Sequence, residues 1–179
     1  MIYLLFTPHI MQNSHLGYLF LVALVLCSCT DKTAEPTPDG FEITEGFSLQ
    51  LVAAEPLIRD PVDMEFNKKG DALVLEMPGY PYEDKQSRLL VLRDNNKDGT
   101  YDESIVFAEN LQLASSILPY RKGVMVAAPP YLLLIRDENQ DYSPDVIDTL
   151  MGGFSTGNLQ HNFNGLTLGL DGWIYAANG

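Results

Sequence analysis

The chain has 179 residues with 46% hydrophobic content, and 24 acidic side chains against 11 basic ones give a formal charge of -13. That size suits one ordinary globular domain plus short extras, and the composition excludes a coiled coil, a disordered tail and a multi-span membrane protein. The acidity excludes a general nucleic-acid binder, because such a surface repels a phosphate backbone, and is compatible instead with bound cations.

Leu16 to Leu26 is an almost unbroken apolar run that ends in Leu26-Cys27-Ser28-Cys29 and is followed at once by polar Thr30-Asp31-Lys32-Thr33. It is too short to span a bilayer and reads as a signal peptide over residues 1–28. Leu26 to Cys29 resembles the bacterial lipoprotein cleavage box, which implies cleavage before Cys29, acylation of its sulfur, and a lipid-anchored protein of the cell envelope, on the periplasmic or outer-membrane side. No Lys or Arg precedes the run, which leaves Met11 as an alternative start. Both cysteines of the chain lie in this segment, so the mature chain is expected to carry no disulfide, no thiol nucleophile and no Cys-x-x-Cys-His haem site of its own. Residues 29–44, with Pro36, Pro38 and Gly40, read as a flexible tether.

Residues 45–179 form the domain, and their apolar pattern has period two. Phe47, Leu49, Leu51 and Ala53 alternate with polar or neutral neighbours, as do Val62, Met64 and Phe66, which places Asp63 and Glu65 on the solvated side of a strand. Further short runs follow at 72–77, 89–93, 104–108, 124–128, 131–135, 146–150 and 173–177, separated by Gly, Pro, Asn and Asp clusters. Trp173, next to Ile174 and Tyr175, is expected in the core, and Lys68-Lys69-Gly70 is a turn. No amphipathic helix stands out, so the fold class is all-β.

The pattern also repeats. Leu90-Val91-Leu92-Arg93-Asp94 is echoed 43 positions later by Leu133-Leu134-Ile135-Arg136-Asp137. Segments beginning at Gly70, Gly123 and Gly172 echo one another at spacings of 53 and 49. Units of this length built from about four strands are the signature of β-propeller blades. The blades lay out as 62–108, 115–150 and a third that begins near 163, about two and a half in all. An incomplete ring leaves strand edges open, so the sequence is expected to be the front part of a longer protein.

Asp94, Asn96, Asp98 and Asp102 stand at positions 1, 3, 5 and 9 of a loop with Gly99 after position 5, an arrangement that brings oxygen ligands to one point as calcium requires. The alternative is a solvated hairpin turn. The second copy, Asp137, Asn139, Asp141 and Asp145, keeps the oxygen positions and loses the glycine. Asp60, Asp63, Glu65 and Glu76 form the weaker set of carboxylates that a glycan-degrading hydrolase would need.

His161 closes a loop just before a strand that heads a hairpin, which in a propeller puts it at the mouth of the central channel, either as a ligand-facing group or as a structural tie to blade backbone. The run His161, Leu166, Gly169, Asp171-Gly172 and Ile174-Tyr175 resembles the catalytic-histidine strand of soluble quinoprotein glucose and sorbosone dehydrogenases. Leu51 to Pro61, Glu76 to Pro81, Val126 to Pro130, and Gly157 to His161 with Asn164-Gly165-Leu166 resemble a family of large bacterial membrane-bound dehydrogenases, often fused to helical-repeat and cytochrome c domains. This resemblance covers roughly 45–179. It implies that His161 is the general base for oxidation of a sugar or alcohol by pyrroloquinoline quinone, with electrons passed to a c-type cytochrome domain or partner. At Gln160 the quinoprotein pattern has an aspartate, and the cations that would hold the cofactor fall in later blades. A non-catalytic propeller that binds carbohydrate or protein at the same mouth is the second reading, and the hydrolase is the third.

Overall fold

The computed structural model describes residues 2–6, 40–82 and 86–179. Leu16 to Leu26, the lipidation candidate Cys29 and most of the tether lie outside the described residues. The chain divides into two units, residues 3–51 and residues 52–179 with the first two residues. Strands β1 (Ile2–Phe6) and β2 (Ser48–Ala53) form a two-stranded sheet.

The second unit is all-β. Strands β3 (Pro61–Phe66), β4 (Ala72–Glu76), β5 (Ser87–Arg93) and β6 (Glu103–Leu111) form one antiparallel four-stranded sheet in sequence order. A second such sheet follows from β7 (Ser116–Tyr120), β8 (Gly123–Ala128), β9 (Tyr131–Arg136) and β10 (Val146–Gly152). A 3-10 turn (Leu159–His161) then leads into the hairpin of β11 (Asn164–Leu168) and β12 (Ile174–Ala177). Among the described residues no sheet closes on itself. Among the described residues no helix is long and apolar enough to cross a membrane.

The period-two pattern decides how these layers pack. On β8, Val124, Val126 and Ala128 join Leu73, Leu75, Leu89, Val91 and Phe107 of the first sheet in one buried cluster. Met125 and Ala127, pointing the other way, join Phe163 and Leu166 beside the hairpin. Ile117 and Leu118 on β7 divide in the same manner. A central strand covered on both faces needs a continuous apolar run, and β4 and β8 have one. The first strands of the three layers are neighbours, β3 beside β7 and β7 beside β11.

Between these first strands runs a repeated bond. Asp63 Oδ2 accepts from Ile117 N at 2.8 Å, and Ser116 Oγ accepts from Leu166 N at 3.0 Å. Asp63 lies opposite Leu75 and Ser116 opposite Ala127, and the two are 53 residues apart, the spacing of the Gly70–Gly123 echo. The third position in the series, 49 residues on, is Gly165, which has no side chain to continue it.

This bond corrects the expected phase of β3. Val62 and Phe66 are about half exposed, at 47% and 46%, while Asp63 and Glu65 are partly buried. The polar side of β3 is the one that meets the next sheet, because it supplies the acceptor that β7 needs. Glu65 feels this burial: desolvation, and then the nearby Asp63, hold its carboxyl above the ordinary range. Trp173 is likewise not core. It is 72% exposed on the turn of the β11–β12 hairpin.

Candidate functional site

A cleft of about 370 Å³ opens where β3, β7 and β11 begin. Val62, Met77 and Leu159 give it some apolar wall, and Asp63, Ser115, Ser116, Gln160, Asn162 and Asn164 supply polar groups. The turn carrying His161 forms one side. Asn158 caps it by accepting from Gln160 N at 3.2 Å, and His161 N donates to Asn158 O at 3.0 Å. Phe163 anchors the far end: its ring stacks on Phe154 with centroids 3.7 Å apart, and its carbonyl accepts from Ser115 Oγ at 2.6 Å.

His161 itself is exposed, and its carbonyl accepts from Gly179 N at 3.2 Å. Its neighbours Gln160 and Asn162 line the cleft while its own ring lies outside the lining. Asn162 carries a feature that no sequence pattern announces. It is 6% exposed, and its Oδ1 is a buried acceptor with no hydrogen-bond partner among the described residues. Leaving such an atom unpaired costs about 1–3 kcal/mol.

The other residues of the His161 motif build the hairpin. Gly169 N donates to Trp173 O, and a Cβ on Gly169 would sit 2.6 Å from both Asp171 Oδ1 and the Tyr175 ring. Tyr175 OH donates to Asp171 Oδ2 at 2.6 Å and Trp173 N to Asp171 Oδ1 at 3.1 Å; these bonds, the Tyr175 one first, hold the Asp171 carboxyl below its ordinary range. Gly169, Asp171 and Tyr175 of this motif therefore shape the β11–β12 turn.

The two acidic loops are one structure repeated. Asp94 accepts from Asp98 N and Gly99 N, Asn96 from Asp98 N, and Asp98 from Thr100 N. Asp102 accepts from Asn95 N and Asn95 Nδ2. In the second loop Asp137 accepts from Gln140, Asp141 and Tyr142 N, Asn139 from Asp141 N, Asp141 from Ser143 N, and Asp145 from Glu138 N. The missing glycine is compensated by strain: Tyr142 adopts φ 67 where Gly99 has φ 89. What holds Tyr142 there is its hydroxyl, which donates to Asp71 Oδ2 in the first sheet at 3.0 Å. Among the described residues no group of three or more His, Cys, Asp or Glu side chains is gathered as a metal cage.

Two of the four carboxylates considered for hydrolysis, Asp63 and Glu76, are engaged in structural bonds. Asp63 spends both oxygens on Met64 N and Ile117 N. Glu76 is fully buried, accepting from Arg59 N and from Arg88 Nε and Nη2. Glu65 lines none of the cleft, and Asp60 is exposed.

No curated protein and no solved structure matches the chain. One family does: a domain of unknown function, DUF7133, matches residues 34–179, which takes in the three layers, the cleft and both acidic loops. With most of its length matched, the chain belongs to the DUF7133 family.

Proposed function

We propose that the cleft at the start of β3, β7 and β11 is the sugar or polyol site of a β-propeller dehydrogenase held on the bacterial cell envelope through Cys29. The observation that carries this is the orphaned Asn162 Oδ1, a buried acceptor on a residue that lines the cleft, whose other polar lining is hydroxyls, amides and one carboxylate. A polyhydroxylated molecule offers donors to such a lining and acceptors to its amides. The layers support the propeller: successive antiparallel four-stranded sheets, face to face, with first strands side by side.

In this reading His161, exposed on the adjoining turn, takes the hydroxyl proton of substrate held at the cleft edge. A quinone such as pyrroloquinoline quinone would supply the hydride acceptor, and a c-type cytochrome the onward path. The cleft residues do not fit that cofactor, because its carboxylates need cations and no Lys or Arg is in the lining. The same placement of His161 outside the lining favours a second reading, a carbohydrate-binding propeller without catalysis. Calcium belongs to the proposal at Asp94, Asn96, Asp98 and Asp102, whose side-chain oxygens bond to the loop backbone while retaining further lone pairs.

The test is a calorimetric panel of sugars and polyols beside a dye-reduction assay with added pyrroloquinoline quinone and calcium. Sugar or polyol binding by the wild type is expected, and dye reduction that is lost in His161→Ala while binding is kept would carry the dehydrogenase. Binding without reduction replaces the dehydrogenase by the binding module, and no binding removes both.

A further inference from the structure

A second cleft, independent of the first, lies between the two four-stranded sheets at the opposite ends of β3 and β7 and has a volume of about 350 Å³. It is rimmed by Lys68, Lys69, Arg121 and Lys122, four of the 11 basic residues in a chain of net charge -13. The four come as two doublets 53 residues apart, each on the turn that joins the first two strands of its sheet. Neither the β3–β4 turn nor the β7–β8 turn needs cations for its own geometry. Asn67 closes the first by accepting from Lys69 N and Asp71 N, and both doublets are exposed.

Among the described residues none of the four forms an ion pair. Lys69 Nζ instead lies over the Tyr142 ring, 4.8 Å from its centroid, and Arg121 over the Tyr120 ring at 5.2 Å. Asp137 also lines the cleft, but its two oxygens accept from Gln140, Asp141 and Tyr142 N. Beneath the rim the floor is Leu73, Val91, Phe107 and Val124, part of the core between the sheets. Unpaired cations above an apolar floor, in a volume at the lower end of small-molecule sites, define a ligand with an anionic head and an apolar body.

We propose that this cleft binds a small amphiphilic anion, an aryl or short-chain alkyl carboxylate, sulfonate or phosphate, with its charge between the two basic doublets and its body against Phe107 and Val124. The test titrates the full chain with 8-anilinonaphthalene-1-sulfonate by fluorescence, then competes with octanoate, with neutral octan-1-ol and with phosphatidylglycerol vesicles. Wild type is expected to bind the probe, octanoate to displace it and octan-1-ol not to. Lys69→Glu/Lys122→Glu should weaken the probe by about tenfold or more, a step of about 1.4 kcal/mol, and raised salt should weaken the wild type. Circular dichroism establishes that each variant is folded, and Lys68→Gln/Arg121→Gln, with a smaller loss of the same sign, serves should the charge reversal not fold. Equal displacement by octanoate and octan-1-ol, unchanged probe affinity in folded variants, or displacement by vesicles alone overturns the proposal.

Discussion

Removing the Asp63 carboxylate should loosen the joint between the first two sheets. In Asp63→Ala, Ile117 N, on a fully buried residue, loses its acceptor at 2.8 Å. A hydrogen bond to a charged group contributes about 1.5–3 kcal/mol, and the orphaned donor lies within the same range, so the loss should be about 2–3 kcal/mol. Asp63→Asn keeps an acceptor oxygen and should lose about 1 kcal/mol. Ser116→Ala removes a neutral acceptor from Leu166 N at 3.0 Å and should also cost about 1 kcal/mol. Equilibrium urea unfolding reads these as midpoint shifts, about 1 M for Asp63→Ala at a typical slope. An Asp63→Ala midpoint no lower than that of Asp63→Asn would refute the bond as the joint between sheets.

Gly123→Ala should be poorly tolerated, by about 3 kcal/mol, because its Cβ would stand 2.2 Å from the backbone oxygen of Ile135 and backbone cannot rotate away; Gly70→Ala, with open space but φ +90, should cost only about 1 kcal/mol, and thermal melts compare the two. Glu65→Gln should stabilise at neutral pH. A carboxyl whose folded pKa is raised binds protons more tightly folded than unfolded, so its charged form costs stability as pH rises past the ordinary 4.5, and the variant's advantage should vanish below that value in a pH series of unfolding curves. For calcium, titration calorimetry should show one strong site that Asp98→Ala removes; heat unchanged by that substitution would leave the 94–102 loop a metal-free turn.

Strands were legible where apolar alternation met Gly, Asn or Asp punctuation: the runs at 72–77, 124–128 and 131–135 are β4, β8 and β9 to within one residue. β7 showed no comparable run, because Ser116 and Pro119 interrupt Ile117 and Leu118, and Ser116 is there to serve Leu166. Alternation alone also cannot say which side of a strand faces a neighbour. Asp63 and Glu65 look solvated until the next sheet is in place, and Trp173 looks like core until its turn is seen to leave it uncovered. The two acidic loops were legible as copies; how Tyr142 takes the place of the glycine was not, since its hydroxyl bonds to Asp71, 71 residues distant. The unpartnered Asn162 Oδ1 is a property of three-dimensional surroundings and has no sequence pattern. The basic doublets were readable: the 53-residue echo from Gly70 to Gly123 carries Lys68-Lys69 onto Arg121-Lys122.

The central claim, that the cleft at the start of the first strands receives a polyhydroxylated ligand, is tested most directly by titrating the isotopically labelled chain with sugars and polyols and following amide signals by NMR. Shifts should cluster on the Gln160, Asn162 and Asn164 side-chain amides and on the Ser116 backbone, should leave the 68–70 and 121–123 turns unmoved, and should disappear in Asn162→Ala. Shifts confined to the basic turns or to the acidic loops, or an Asn162→Ala chain that responds like the wild type, would contradict it.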